Sequence, residues 1–361
     1  MLLMTRAVRS ADPVRSPVGN NPVENTPVRK TPVENTPVGN TPIVDVSLEV
    51  HGTLRRLRLK LESKNPFGSL KDRISAALID QVADRIDKEI GVIESTSGNL
   101  GVAMAAECAA RGIPFTAVVD PRTSVFFVDR MRGFGARVRV IDEPDATGGY
   151  LLNRIRYVRE QLKIRPGLVW TNQYRSEANP NAHFESTAPE LLREVPGPAT
   201  VLVPVSTGGT LAGLTRFVAA SDAEWRLIGV DVHGSAALGR TSGRRLLSGI
   251  GASCPSSFLD PATASAQYVD VAEAVSACLW LSEEAGIGVG GSSGATVAAA
   301  LRMFRQDPAA EEFVCLCPDG ADRYRTTIYH ADWRAAQGIT TAGMGGAVAY
   351  RGQSESGERC P

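Results

Sequence analysis

Residues 65–73 read NPFGSLKDR: a turn-prone Asn-Pro pair, a glycine, then a lysine held between Leu70 and Asp72. On the N-terminal side LRRLRLKLE (54–62) shows the partial alternation of a strand. On the C-terminal side DRISAALIDQVADRI (72–86) places Ile74, Leu78, Val82 and Ile86 at helical spacing, which predicts one buried stripe. Lys71 therefore stands where a strand hands over to a helix. A lysine in such a place is ordinarily a solvated surface charge. The alternative is that it carries chemistry, and its surroundings decide.

Outward from this junction the alternation repeats. GVIEST (91–96) reads as a short strand and NLGVAMAAECAARG (99–112) as an alanine-rich helix closed by glycine. PFTAVVD, SVFFVDRMRGFG and ARVRVID continue as strand, helix and strand, followed by the helix GGYLLNRIRYVREQL and the strand GLVWTNQY. The rhythm returns with a helix over 187–194, the strand TVLVPV (200–205), a helix over 210–220 and the strand WRLIGVDV (225–232). A glycine-rich turn at 288–294 opens a helix over 295–304, and EEFVCLCPDG (311–320) is a final buried strand. This pace predicts an α/β fold with mainly parallel sheets. Periodicity leaves open a (β/α)₈ barrel or two open twisted sheets facing a cleft. The Gly-, Arg- and Ser-rich interruption at 236–262 and the length of the chain favour the two sheets.

Composition narrows the function classes. Apolar residues make up 43% and charged residues 22%, the ordinary globular range. Lys plus Arg equals Asp plus Glu at 39 each, so no net field draws nucleic acid or an anionic membrane, although a local basic pocket for a small anion remains open. No apolar run reaches the roughly 18–20 residues of a membrane span. The opening MLLMTRAVRS is too soon polar for a secretory signal. The six cysteines (Cys108, Cys254, Cys278, Cys315, Cys317, Cys360) match no metal-ligand spacing, and histidines number four, so no metal site is expected. Cys315 and Cys317 read as buried thiols on a strand, and a reducing cytoplasm is the expected home. Pro17, Pro22, Pro27, Pro32, Pro37 and Pro42 recur every five residues, which predicts a flexible proline-rich arm over 1–36. The last copy, Gly39 to Val44, runs into ordered sequence.

Three strand-to-helix junctions are rich in glycine and hydroxyls. Ser206-Thr207-Gly208-Gly209-Thr210 follows an apolar strand, and its glycines, hydroxyls and the first helical N–H groups suit a phosphate dianion, although an ordinary capped turn would look similar. Ser95-Thr96-Ser97-Gly98-Asn99 and Ser293-Gly294 make two more such junctions. Neither GxGxxG nor GxxxxGK[ST] occurs in them. All three are expected at the C-terminal ends of parallel strands, converging on one cleft. A lysine among helix starts and apolar neighbours loses its proton more readily, and only the neutral amine attacks a carbonyl.

Together these segments, from Gly39 to about residue 330, resemble the fold type II pyridoxal phosphate enzymes in their cysteine synthase-like branch. The resemblance implies a tryptophan synthase β-like α/β fold with the active site between domains and pyridoxal 5'-phosphate as cofactor. It places the Schiff base on Lys71 and the substrate carboxylate at Thr96, Ser97, Gly98 and Asn99, with Asn99 also bonding the cofactor ring hydroxyl. The cofactor phosphate falls to Ser206, Thr207, Gly208, Gly209 and Thr210, and the hydroxyl near the pyridine nitrogen to Ser293 or its neighbour Ser292. NQY followed by NPNAHFESTAPE resembles the stretch lining the substrate, which nominates Gln173 and Tyr174. The implied domains are a smaller one over 54–180 carrying the lysine and carboxylate loop, a larger one over 37–53 and 181–335 holding the phosphate, and a flexible tail over 336–361. A homodimer acting on small amino acids is implied as well.

Within that branch PDGADRY (318–324) and YHADW (329–333) resemble enzymes that join O-phospho-L-serine to L-glutamate, a route to 2,3-diaminopropionate for siderophores or peptide antibiotics. The STGGT loop is closer to ordinary cysteine synthases, which use sulfide, so both nucleophiles stand. A departing phosphate calls for a cation. GRTSGRRLL (239–247) offers Arg240, Arg244 and Arg245, of which Arg244 and Arg245 are the expected substrate contacts; the alternative is a solvated loop. Lys71 is then positioned to take and return the α-proton, in a site closed against water.

Overall fold

The computed structural model describes residues 37–146, 148–261, 265–344 and 349–351; the proline arm expected over 1–36 lies outside them. The chain opens with an antiparallel hairpin, β1 (Ile43–Val50) and β2 (Thr53–Leu61), and passes through the 65–70 segment into α1 (Lys71–Asp80). It then lays down β3 (Val92–Ser95), β4 (Phe115–Val119), β5 (Arg137–Val140) and β6 (Val169–Trp170), linked by α2 (Asn99–Arg111), α3 (Val125–Gly133) and α4 (Leu151–Ile164). These four strands form a parallel sheet in the order β5-β4-β3-β6.

A helical stretch comes next: α5 (Ala178–Ala182), a π-helical turn His183–Thr187, and α6 (Ala188–Glu194). The second half adds β7 (Ala199–Pro204), α7 (Gly209–Ala220), β8 (Trp225–Val232), β9 (Ala266–Val269), α8 (Val271–Glu284), α9 (Gly291–Gln306) and β10 (Glu312–Cys317). Last come α10 (Ala331–Ala336) and β11 (Ala349–Arg351). The larger sheet runs β11-β1-β2-β10-β7-β8-β9, parallel except where β1 meets its two neighbours. Two open sheets are present, and the barrel is not.

Local chemistry accounts for most of this. β10 is buried along Phe313–Cys317, as a central strand covered on both faces must be, and its thiols Cys315 and Cys317 sit in the core. Helix α2 stops at Gly112, whose left-handed φ of 67° lets Ile113 N–H reach back to Cys108 O at 2.8 Å. Asp270 and Glu273 close a reciprocal capping box on α8.

Four expectations change. Helix α1 ends at Asp80 instead of running to 86, yet Ile74, Leu78 and Val82 keep their stripe because a tighter turn carries Val82 onto it, its N–H bonding Ile79 O at 3.1 Å. Helix α9 begins at Gly291, four residues before the expected 295, so Ser292 and Ser293 belong to its first turn. Strand β2 lies in the larger sheet, between β1 and β10, and not with the smaller domain expected over 54–180. Its Leu57, Leu59 and Leu61 enter the core beneath α8 and α9. Alternation reports a strand, but not the sheet that takes it. Within the stretch expected as a flexible tail, Ile339 and Met344 pack on that same core, and Ala349–Arg351 pair with β1.

The loops leaving β3, β7 and β10 meet the lysine segment. Leu70 N–H bonds Pro318 O at 2.8 Å, Ser69 bridges Asp319, and Val289 bridges Gly320.

Candidate active site

Those loops enclose a small cavity of about 110 Å³ lined by Lys71, Thr96 to Leu100, Gln173, Tyr174, Ser206, Thr207, Ser292 and Tyr324. A wider cleft of about 540 Å³ adjoins it and shares Ser97, Phe127, Tyr174, Ser206 and Tyr324. The expected lysine, carboxylate loop and phosphate loop thus share one cavity.

Lys71 is the first residue of α1, with its N–H on Ser69 Oγ at 3.2 Å. The segment before it is held by Asp72, whose Oδ2 accepts Phe67 N–H at 2.6 Å. Gly68 has φ +82°, and a Cβ there would come within 2.7 Å of the Arg323 guanidinium. That position requires glycine. Lys71 keeps some accessible surface because it faces the cavity, while the surrounding protein desolvates its ammonium and brings the pKa from the ordinary 10.5 to about 8.

The loop over 95–99 rests on a buried acid. Glu94 accepts from Thr171 Oγ1 at 2.7 Å, Ser95 N at 2.8 Å, Trp170 Nε1 at 3.1 Å and Gln173 N at 3.1 Å. Burial pushes its carboxyl up against the pull of those donors. It joins the end of β3 to the 170–173 segment, and Gln173 Nε2 closes the link on Ser95 O at 3.0 Å. The Tyr174 hydroxyl, pushed up to about 12 by burial, stays protonated at the cavity wall. Asn99 lines the cavity, yet both ends of its amide are engaged: Nδ2 donates to Asp319 Oδ2 and Oδ1 accepts from Arg323 Nε, each at 2.6 Å. Asp319 also accepts from the Tyr324 hydroxyl at 2.6 Å.

At the 206–210 turn Gly208 takes φ +90° and α7 begins at Gly209. Ser206 and Thr207 line the cavity, and Thr207 and Thr210 are each bonded from behind by buried side chains of the 178–187 stretch, Asn179 and His183, at 3.1 Å. Across the cavity stands Ser292, whose buried Oγ has no partner among the described residues. Ser293, the first choice from sequence, is fully buried beside the Cys317 thiol and outside the cavity lining. These groups fit pyridoxal phosphate: an amine of lowered pKa for its aldehyde, a helix start with hydroxyls for its phosphate, and an unpartnered hydroxyl for its ring nitrogen.

The arginines rearrange the expectation. Arg240 stacks on Tyr268 at 3.6 Å and is absent from the cleft lining. Arg244 is exposed and donates to Gln337 Oε1 at 3.1 Å. Arg245 donates to the carbonyls of Gly234 and Ala252 at 3.0 Å and to Ser253 Oγ at 2.9 Å. Both line the wider cleft, with Arg245 committed to holding its own loop. The residue that sequence reading missed is Arg154. It is buried in the same cleft, its Nε and Nη1 make no hydrogen bond among the described residues, and the Asp120 carboxylate stands 3.5 Å from Nε. Nothing in sequence separates it from Arg156, Arg159 and Lys163 on α4.

Among the described residues no group of three or more His, Cys, Asp or Glu could hold a metal ion, and no helix is long and apolar enough to cross a membrane. The family model for pyridoxal-phosphate dependent enzymes matches residues 35–319. The chain is 39% identical over 293 residues to N-(2-amino-2-carboxyethyl)-L-glutamate synthase of Ralstonia nicotianae, covering 80% of this chain and 86% of that protein. It is 38% identical over 283 residues to the enzyme of the same name in Cupriavidus metallidurans, covering 76% and 83%. Its structure is similar to that of a hydrogen sulfide-producing enzyme from Fusobacterium nucleatum, with a TM-score of 0.73 and 27% identity over 80% of this chain and 97% of that one.

Proposed function

Because the chain belongs to the pyridoxal-phosphate dependent enzymes of fold type II, in the cysteine synthase family, we propose that it joins O-phospho-L-serine to L-glutamate by β-replacement. The products are N-(2-amino-2-carboxyethyl)-L-glutamate and phosphate, a supply of 2,3-diaminopropionate for a siderophore or peptide antibiotic. Arg154 carries the choice of leaving group. The Asp120 carboxylate at 3.5 Å balances its charge but leaves Nε and Nη1 without a hydrogen bond, and a departing phosphate can take those donors where an acetyl group would gain little from them.

Lys71 would hold the cofactor, Ser292 would face its ring nitrogen, and the 206–210 turn would take its phosphate. When bound, the cofactor supplies the electron sink that lets the substrate lose its α-proton and its β-substituent. The Lys71 amine takes that proton on Nζ and later returns it to the α-carbon. Thr96, Ser97 and Gly98 orient the substrate carboxylate at the start of α2, and Tyr174 and Gln173 wall the site beside Ser95. Because the cavity opens onto the wider cleft, a reaction that hydrolysis would divert calls for closure around the bound substrates. The family resemblance favours a homodimer, to be checked by sedimentation.

The test supplies O-phosphoserine or O-acetylserine with glutamate or sulfide and identifies products by mass. The glutamate adduct from O-phosphoserine is expected, whereas cysteine as the dominant product would move the chain to the sulfide-using branch, which its STGGT loop resembles. Arg154→Met is expected to raise KM for O-phosphoserine about ten-fold or more and to spare O-acetylserine. Equal losses on both donors would remove the phosphate role.

A further inference from the structure

We propose that Asn179 and His183 are positioning residues that turn the hydroxyls of Thr207 and Thr210 into fixed donors toward the anion at the start of α7. The inference rests on the reading that the cofactor phosphate sits there. Both residues are fully buried, and neither appears in the cavity lining.

Asn179 Nδ2 donates to two acceptors, Gln173 O at 2.8 Å and Thr207 Oγ1 at 3.1 Å. The orientation of its amide follows from the first of them. A backbone carbonyl only accepts, so the flipped amide would set oxygen against oxygen. Asn179 Oδ1 is instead left without a partner against Gly209, where a Cβ would come within 2.1 Å of it. Thr207 Oγ1 therefore receives a proton from behind, and its own O–H is free to donate forward.

His183 makes the same arrangement for Thr210. Its Nδ1 lies 2.9 Å from Thr187 Oγ1 and its Nε2 lies 3.1 Å from Thr210 Oγ1. Burial, with the charges of Lys71 and Arg73 adding to it, holds the imidazole well below the usual histidine range, so it is neutral and has one donor and one acceptor. Thr187 is fully buried, and Nδ1 is the acceptor its hydroxyl meets among the described residues. Thr187 thus donates to Nδ1 and Nε2–H donates to Thr210, which leaves the Thr210 proton free for another acceptor in the first turn of α7. The opposite chain of bonds would strand the Thr187 proton in the core. Gly213 allows the close approach: a Cβ there would stand 2.7 Å from His183 Cβ and 2.3 Å from Pro180 O. Two hydroxyls are thereby committed as donors before any anion arrives, which removes the cost of reorienting them.

The experiment strips the full-length protein of cofactor and titrates it with pyridoxal phosphate and with pyridoxal, which lacks the phosphate. Asn179→Asp and His183→Met are expected to weaken pyridoxal phosphate by about ten-fold or more and to leave pyridoxal within about two-fold. His183→Gln, which keeps a donor near the Nε2 position, should stay within about three-fold of the parent for both ligands. Thr187→Val, away from the loop, should show the same selective loss and serves if Asn179→Asp fails to fold. Equal losses for the two ligands, or no loss for either, would overturn the proposal. A parent protein that does not prefer pyridoxal phosphate over pyridoxal would instead overturn the placement of the phosphate itself.

Discussion

The lowered pKa of Lys71 is a measurable consequence of where α1 begins. An amine that titrates near 8 instead of 10.5 is largely neutral just above pH 8, so covalent attachment of cofactor to the stripped protein should accelerate through pH 8 and then level off. A midpoint near the ordinary 10.5 would show that burial does not act on this amine. Between about 8 and 10.5 the unfolded chain binds more protons than the folded one, so the stripped protein should gain stability as pH rises through that window. Lys71→Ala should abolish the visible absorbance of lysine-linked cofactor, and its persistence would move the attachment elsewhere. Lys71 was legible in sequence because a strand, a turn and a helix start surround it within a dozen residues. Ser292 was not separable from Ser293, because the direction of each side chain depends on where α9 starts. A helix rotates about 100° per residue, so opening at Gly291 instead of 295 decides which hydroxyl meets the cavity. Arg154 was invisible for another reason: its burial depends on the wall opposite α4, which periodicity within α4 does not describe.

At the scale of elements, one guanidinium joins three of them. Arg323 donates to Asn99 Oδ1 at the head of α2 and to Phe67 O before α1, and it lies 5.7 Å from the ring centre of Phe126 on α3. The segment PDGADRY was recognisable as a motif, but the Asn99 and Phe67 acceptors of its arginine lie 224 and 256 residues away in the chain, beyond the reach of any local pattern. Arg323→Ala should unfasten the lysine segment and the carboxylate loop from the larger sheet together. The expected result is a loss of about 2–4 kcal/mol in stability and a fall in kcat of about ten-fold, with lysine-linked cofactor still formed. Unchanged kcat alongside lost stability would make this arginine a purely structural clamp. Gly68→Ala should reproduce part of the effect, since its φ of +82° and the nearby guanidinium leave a methyl group no place.

At the scale of the whole molecule, the segment before β1 is tied to the site by a buried ionic network. Lys60 Nζ meets Glu190 and Glu194 at 2.6 Å, and Arg73 meets Glu62 at 2.7 Å and Glu190 at 3.0 Å. Thr41 completes it, donating its N–H to Glu190 and its hydroxyl to Glu62, both at 2.7 Å, while Asn40 N–H reaches Glu190 at 2.8 Å. Arg73 lies two residues beyond Lys71, so the network also anchors the helix that presents the amine. Its partners hold Glu190 near 2, and the stability it contributes is present above the ordinary carboxylate value of 4.5 and lost as pH falls toward 2. Glu190→Gln leaves Lys60 and Arg73 undercompensated and should cost about 3–5 kcal/mol in urea unfolding. Truncation locates the same boundary from the other side. Gly39 N–H bonds Asn65 Oδ1 at 2.9 Å, the first hydrogen bond to the lysine segment among the described residues. Removing residues 1–36 should therefore leave unfolding and turnover close to the parent. Removing 1–41 takes three network donors from Glu190 and Glu62 and should lower stability by several kcal/mol, with turnover falling as α1 loosens. If both truncations behave alike, the network does not carry the load placed on it; if the shorter one already abolishes turnover, the proline repeat belongs to the catalytic unit.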